Sequence, residues 1–355
     1  MLEYAKNIFF KKNVYPIYLT YFVTSRCNLQ CQHCFYWDSL NKIKNELNLE
    51  EIEKFSKTMG NLLVLSLTGG EPFLRKDLHK IAKIFHKNNK PEIIYIVTNG
   101  YFTRDCIDIT KKILDSCKNI SLIIQLSLDG FKEDHNLIRM KEDSFKRALE
   151  TFHALKRLKL KYKNLNLGIN TTITSFNQYS LPKFLKFVKN ELDPDYCGIP
   201  LTRGNPKNMM SKNVDIEQYW KVVQLKNKLF TNGYHNFLLS SIKNANENII
   251  EKLVYKTAKY NQFQTSCNAA SLNTVISPEG DVWGCEILRN KIGNIRDVNY
   301  DFKKLWFTKQ RKQISYSIKK RKCFCTSETN ISVNTLFNKK YYPQLLFNTI
   351  KNIIR

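Results

Sequence analysis

Three cysteines stand in one short stretch, Cys27-Asn28-Leu29-Gln30-Cys31-Gln32-His33-Cys34, directly after an apolar run. Three thiolates bind three irons of a cubane and leave the fourth iron open to an outside ligand. The amino and carboxylate groups of methionine can chelate such an iron. An electron delivered there can then break an adjacent sulfonium carbon–sulfur bond. The competing reading is a structural zinc site, which needs four ligands; His33 would have to be the fourth, and it lies immediately before Cys34. A second set, Cys267, Cys285, Cys323 and Cys325, falls in the C-terminal third. Four thiolates can ligate a whole cubane with no open iron, or a single zinc ion. Cys106 and Cys117 share one face of an expected helix and Cys197 lies near the end of an expected strand; all three read as buried thiols.

The elements that must position these groups alternate. Short apolar, β-branched runs at 17–24, 63–68, 93–98, 121–128, 166–173 and 195–200 are separated by helical periodicity near 49–59, 76–88, 103–118, 143–160 and 179–191. That pattern predicts parallel strands joined by helices. In the fourth helix Phe145, Ala148, Leu149, Phe152 and Leu155 fall on one face. Six strand–helix units predict an open, partial (β/α)6 barrel with its chemistry at the carboxyl ends of the strands. The stretch 203–212 is polar and carries Gly204 and Pro206, which reads as a linker. Helix follows to about Tyr260, then LNTVISPEGDVWGC reads as a hairpin around a Pro-Glu-Gly-Asp turn. The expected division is an amphipathic extension (1–14), a core (15–203), a linker and helical segment (204–260), a smaller C-terminal domain (261–330) and a tail (331–355).

Composition narrows the setting. A hydrophobic fraction of 43% and an aromatic fraction of 12% are those of a globular chain, and no run is long and apolar enough to span a bilayer. The first residues lack a signal-peptide pattern, so a cytoplasmic location is expected, where ten cysteines point to metal ligation rather than disulfides. Lys and Arg number 57 against 31 Asp and Glu, a net +26. The lysines are spread along the whole chain, which reads as solvated surface and not as a nucleic-acid footprint. The densest basic run is 303–322, which leaves an anion-facing helix open. The tail carries Leu345, Leu346, Ile350, Ile353 and Ile354 at helical spacing, a docking face that leaves peripheral membrane contact possible.

The cysteine loop resembles the motif of the radical SAM superfamily, in which the residue before the third cysteine lies near the adenine; His33 occupies that slot. Four further stretches follow in order. Leu67-Thr68-Gly69-Gly70-Glu71-Pro72 resembles the family's GGE motif, whose backbone holds the methionine amino group, glycine allowing close approach to the ligand. Thr98-Asn99-Gly100 ends strand three. Ser127-Leu128-Asp129-Gly130, with His135 and Arg139, resembles the segment whose Ser and Arg meet the methionine carboxylate and whose Asp lies near the ribose. Gly168-Ile169-Asn170 matches the adenosine contact.

The resemblance covers about 15–201. It implies a [4Fe–4S] cluster on Cys27, Cys31 and Cys34, bound S-adenosylmethionine, and a reducing partner such as a flavodoxin or ferredoxin. The stretch from Cys267 through Gly280 to Cys285 resembles the opening of SPASM and Twitch domains, implying an auxiliary [4Fe–4S] cluster on Cys267, Cys285, Cys323 and Cys325. Cys323-Phe324-Cys325 departs from the commoner two-residue spacing, which leaves that pair less defined. The expected activity is cleavage of S-adenosylmethionine to a 5′-deoxyadenosyl radical that takes a hydrogen from a peptide or small metabolite, an oxidation being one form. The alternative from a different class is a non-catalytic iron–sulfur or zinc protein that binds nucleic acid through its basic surface.

Overall fold

The computed structural model describes residues 14–42, 45–230 and 240–354; the expected extension at 1–14 lies almost wholly outside them. Six strands, β1 (Tyr18–Thr24), β2 (Val64–Gly69), β3 (Ile93–Thr98), β4 (Ser121–Ser127), β5 (Leu165–Asn170) and β6 (Tyr196–Gly198), lie parallel in chain order. The helices between them are α1 (Leu49–Ser56), α2 (Leu78–Asn89), α3 (Thr103–Ser116), α4 (Lys132–Arg139), α5 (Ser144–Lys161) and α6 (Leu181–Phe187). α7 (Ile216–Leu229), α8 (Ser240–Tyr260), α9 (Phe302–Trp306), α10 (Lys309–Lys320), α11 (Glu328–Leu336) and α12 (Tyr342–Ile354) follow.

Side chains alternate across each strand, and here both sides have work to do. Leu19, Tyr21 and Val23 of β1, Leu65 and Leu67 of β2 and Ile94 and Ile96 of β3 face the helices in the main core. Their neighbours Tyr18, Thr20, Phe22, Ser66, Thr68, Tyr95 and Val97 face a central cavity. On α5, Ala148, Phe152 and Leu155 are buried and Phe145 and Leu149 pack beside them, as the spacing predicts.

The C-terminal segment joins this sheet. β7 (Asn273–Ile276) pairs in parallel with β1, then β8 (Asp281–Trp283) and β9 (Lys291–Asn294) continue antiparallel, giving the order β6-β5-β4-β3-β2-β1-β7-β8-β9. The hairpin is where the turn signal puts it. Its parallel pairing with a strand some 250 residues earlier in the chain, and the third strand β9, are not visible in local pattern. Among the described residues no helix is long and apolar enough to cross a membrane.

Candidate active site

The loop after β1 is held from below and above. Below it, Gly69 and Gly70 end β2 against its backbone: a Cβ on Gly70 would lie 2.2 Å from the Arg26 carbonyl, and Gly69 has φ +126°. Gly70 N donates to Thr24 O and Glu71 N to Arg26 O, both at 2.8 Å. The sequence reading assigns these glycines to close approach to a ligand. The geometry gives a different first reason, since the approach that forbids a side chain on Gly70 is to the cysteine loop. Above the loop, the 203–212 stretch is a strap rather than a free linker: Lys207 N donates to Cys34 O at 3.1 Å and Trp37 Nε1 to Asn205 O at 3.1 Å.

The expected site residues converge. Cys27, Cys31, His33, Cys34, Gly69, Gly70, Glu71, Asn99, Ser127, Arg139 and Asn170 all line one cavity of about 390 Å³. Asp129 does not. It is fully buried beneath the cavity, where Arg139 Nε donates to its Oδ2 at 2.6 Å and Thr172 N to its Oδ1 at 2.8 Å. Burial raises its pKa, yet Arg139 with its neighbours holds the carboxyl below the ordinary range. The resemblance puts Asp near a ribose; here its oxygens are taken by Arg139 and by backbone, so it positions Arg139. That guanidinium in turn reaches Cys31 Sγ at 3.7 Å.

Glu71 is likewise engaged. Its carboxylate accepts from Thr98 Oγ1 at 2.7 Å, Asn99 N at 2.8 Å and Phe73 N at 3.2 Å. Burial nevertheless pushes its pKa up to about 7. His33 is driven down to about 4 by burial, so its ring is neutral, and its buried Nδ1 has no hydrogen-bond partner among the described residues. Asp38, at the mouth of the loop, pairs with Arg289 at 3.0 Å. Arg289 also donates to Phe35 O at 2.8 Å, tying the β8–β9 region to the cysteine loop.

The second cysteine set gathers too. Cys267, Cys285, Cys323 and Cys325 border one small cavity of about 30 Å³. Backbone amides two residues on donate to sulfur: Ala269 N to Cys267 at 3.5 Å, Ile287 N to Cys285 at 3.4 Å and Ser327 N to Cys325 at 3.4 Å. Leu29 N does the same for Cys27 at 3.5 Å. Such N–H···S contacts suit sulfurs that carry charge as iron ligands. Cys323, the member of the irregular pair, is left without that contact in the described geometry. Among the described residues no three His, Cys, Asp or Glu groups converge tightly enough for one metal ion. A cubane asks for a wider ring, because each thiolate takes a different iron. Cys106, Cys117 and Cys197 are core thiols, buried among aliphatic side chains.

A six-stranded parallel half-barrel with three cysteines in the loop after β1 places this chain among open α/β barrels with their site at the carboxyl ends of the strands. Residues 21–179 match the family model described as "Radical SAM superfamily". That match takes in somewhat under half of the chain. Over 179 residues the chain is 32% identical to a GTP 3′,8-cyclase of Helicobacter pylori, covering 49% of this chain and 52% of that one. An AdoMet-dependent heme synthase of Methanosarcina barkeri is 24% identical over 307 residues, covering 82% of each. The chain thus spans about half the length of several curated relatives it matches. Among solved structures, anSMEcpe with bound AdoMet superposes with a TM-score of 0.59 at 19% identity, covering 96% of this chain and 97% of that one. Streptococcus suis SuiB bound to its precursor peptide SuiA gives 0.58 at 16%, covering 85% and 67%. These likenesses concern the fold.

Proposed function

We propose that this protein is a radical S-adenosylmethionine enzyme. The observation that carries it is the convergence of three cysteines with the expected ligand-facing residues on one cavity. In this reading Cys27, Cys31 and Cys34 hold a [4Fe–4S] cluster, and Ser127, Arg139, Asn99, Asn170, His33 and the Gly69–Glu71 turn face S-adenosylmethionine. The donor set fits: one buried and two half-buried cysteines, a buried guanidinium for a carboxylate, and an unpartnered imidazole nitrogen. When bound, the reduced cluster and S-adenosylmethionine supply a 5′-deoxyadenosyl radical that can take a hydrogen atom from a substrate.

The chain's own residues bind, orient and exclude water. Asp129 fixes Arg139 so that a cationic fork is ready before ligand arrives, which removes an ordering cost. The apolar lining of Leu29, Phe35, Tyr36 and Leu40 keeps the mouth dry. Cys267, Cys285, Cys323 and Cys325 hold an auxiliary [4Fe–4S] cluster in a Twitch- or SPASM-like region; with four protein ligands it would transfer electrons or stabilise the fold rather than bind substrate. A flavodoxin or ferredoxin would supply the electron. The substrate is a peptide or a small metabolite; the precursor-peptide complex of SuiB supports the former class, and the heme synthase the latter.

The test is anaerobic reconstitution, reduction with dithionite and addition of S-adenosylmethionine. We expect 5′-deoxyadenosine, and roughly four irons left per chain of roughly eight when Cys27, Cys31 and Cys34 are all replaced by Ala. Absence of 5′-deoxyadenosine from a fully loaded protein would reject the function. A wild-type iron content near four would reject the second cluster alone.

A further inference from the structure

The cavity continues past the S-adenosylmethionine-facing residues. It runs down the inside of the strands to α8 and α11, which reach β6 and β7: Tyr196 of β6 donates to Glu247 of α8, and Asn273 of β7 donates to Asn330 of α11 at 2.6 Å. The floor is apolar, with Val333 and Phe337 packed against Ile17, Val64, Ile93 and Ile123. The wall is ionisable, made by Arg203, Lys243, Glu247, Glu286 and Glu328. All five lie outside the matched domain at 21–179.

Charge on this wall does not balance. Arg203 Nη2 and Glu286 Oε1 pair at 3.0 Å, and behind the wall Lys226 pairs with Glu251. Lys243 Nζ lies 4.5 Å from the Tyr196 ring centroid, beside Glu247. Glu328 opens onto the cavity with no hydrogen-bond partner among the described residues. Three carboxylates therefore face two cations, one negative charge too many. An uncompensated carboxylate in a half-buried wall is costly, so the cavity keeps it protonated or brings it a cation.

We propose that the wall at Glu328 is a recognition pocket for a substrate group carrying positive charge, an ammonium or guanidinium. The proposal rests on the radical reading above for the reaction, while the pocket itself rests on the wall alone. An anionic ligand would add to the excess charge; a neutral one would leave it. The pocket lies in the same cavity as the cysteine loop, so a bound substrate would extend from the cation site toward the reacting centre. Consistent with this, burial and Glu247 push the Glu328 pKa up to about 8, Arg203 opposing them. Arg203, Tyr219, Lys226, Lys243, Glu247 and Glu251 are the ionisable groups that act on it. A cation seated there would favour ionised Glu328, so binding near neutral pH should release a proton.

The experiment is titration calorimetry on the full, anaerobically reconstituted chain. The probes are n-butylammonium, n-butylguanidinium, 1-butanol and butyrate, in two buffers of different ionisation enthalpy. One or both cations should bind at least about tenfold more tightly than butanol or butyrate, as a charge-assisted hydrogen bond requires. The comparison between them identifies the cation. Glu328→Gln should weaken cation binding by a similar factor and abolish proton release. Lys243→Met should tighten it, a direction that loss of folding cannot produce. Butanol binding as well as butylammonium, or undiminished binding in Glu328→Gln, would overturn the pocket even in a protein that cleaves S-adenosylmethionine. Selective cation binding in a protein that fails to cleave S-adenosylmethionine would keep the pocket and overturn its place in that reaction.

Discussion

Asn208 is bonded twice to Gln32: its backbone N donates to the Gln32 carbonyl at 2.8 Å and its Nδ2 to Gln32 Oε1 at 2.8 Å. Gln32 sits between two of the three loop cysteines and is itself anchored to Ile138 O and Leu137 O at 2.9 Å each. One side chain thus lies between the strap and the end of α4. Asn208→Ala deletes two side-chain bonds, the one to Gln32 Oε1 and the one accepted from Met210 N at 3.0 Å, and leaves the Gln32 amide oxygen unpaired. We expect a loss of about 1–2 kcal/mol in denaturant stability and faster removal of iron from the N-terminal site by a chelator. Unchanged chelation kinetics would mean that the strap does not restrain the loop.

Gly70→Ala tests the contact between the GGE turn and the loop. The added methyl would meet the Arg26 carbonyl at 2.2 Å, which is backbone and cannot swing away. Iron content after reconstitution should fall by about half, with S-adenosylmethionine binding lost alongside it. Full iron with weakened binding would instead support a glycine kept only for the ligand.

Asp129→Asn leaves Arg139 buried without its charge partner. Breaking one side of a buried pair costs roughly 3–5 kcal/mol. Because Asp129 titrates below its ordinary range, its stabilisation is present at neutral pH and lost as pH falls through the acid range. The difference between wild type and variant in urea melts should be largest near pH 7 and shrink toward pH 3. A difference that stays constant would show that charge is not what Asp129 contributes.

Glu71 has the opposite linkage. With a folded pKa of about 7, the native chain holds a proton that the unfolded chain releases between the ordinary carboxyl value and 7, so stability falls as pH rises through that window. Relative to Glu71→Gln, the wild type should lose up to about 3 kcal/mol between pH 4 and 8, measured before cluster loading. A flat difference would mean that its three hydrogen bonds keep it ionised throughout.

Periodicity and spacing carried the half-barrel because each strand there is a short apolar run bounded by turn residues, and the cavity-facing motifs sit at strand ends. What local pattern could not carry was pairing at long range. Nothing in NTVI says that β7 will lie beside β1, and KEDHNLIR, although amphipathic, is only eight residues long and half charged, too short and polar to stand out as the helix α4 that delivers His135 and Arg139. The polarity of 203–212 reads as linker, since hydrogen bonds from backbone to a distant loop leave no compositional trace. Asp129 shows the same limit: its place in the motif was legible, but only the position of Thr172 and Arg139 reveals that its oxygens are spent.

The pairing of β1 with β7 also orders events in time. β1 emerges from the ribosome first, yet one of its edges stays bare until residues 273–276 have been made. At typical synthesis rates that interval is on the order of 10–50 s, during which an apolar strand offers open N–H and C=O groups to any neighbouring chain. Slowed translation of the C-terminal third should therefore lower soluble yield, and a chaperone that covers extended apolar segments should restore it.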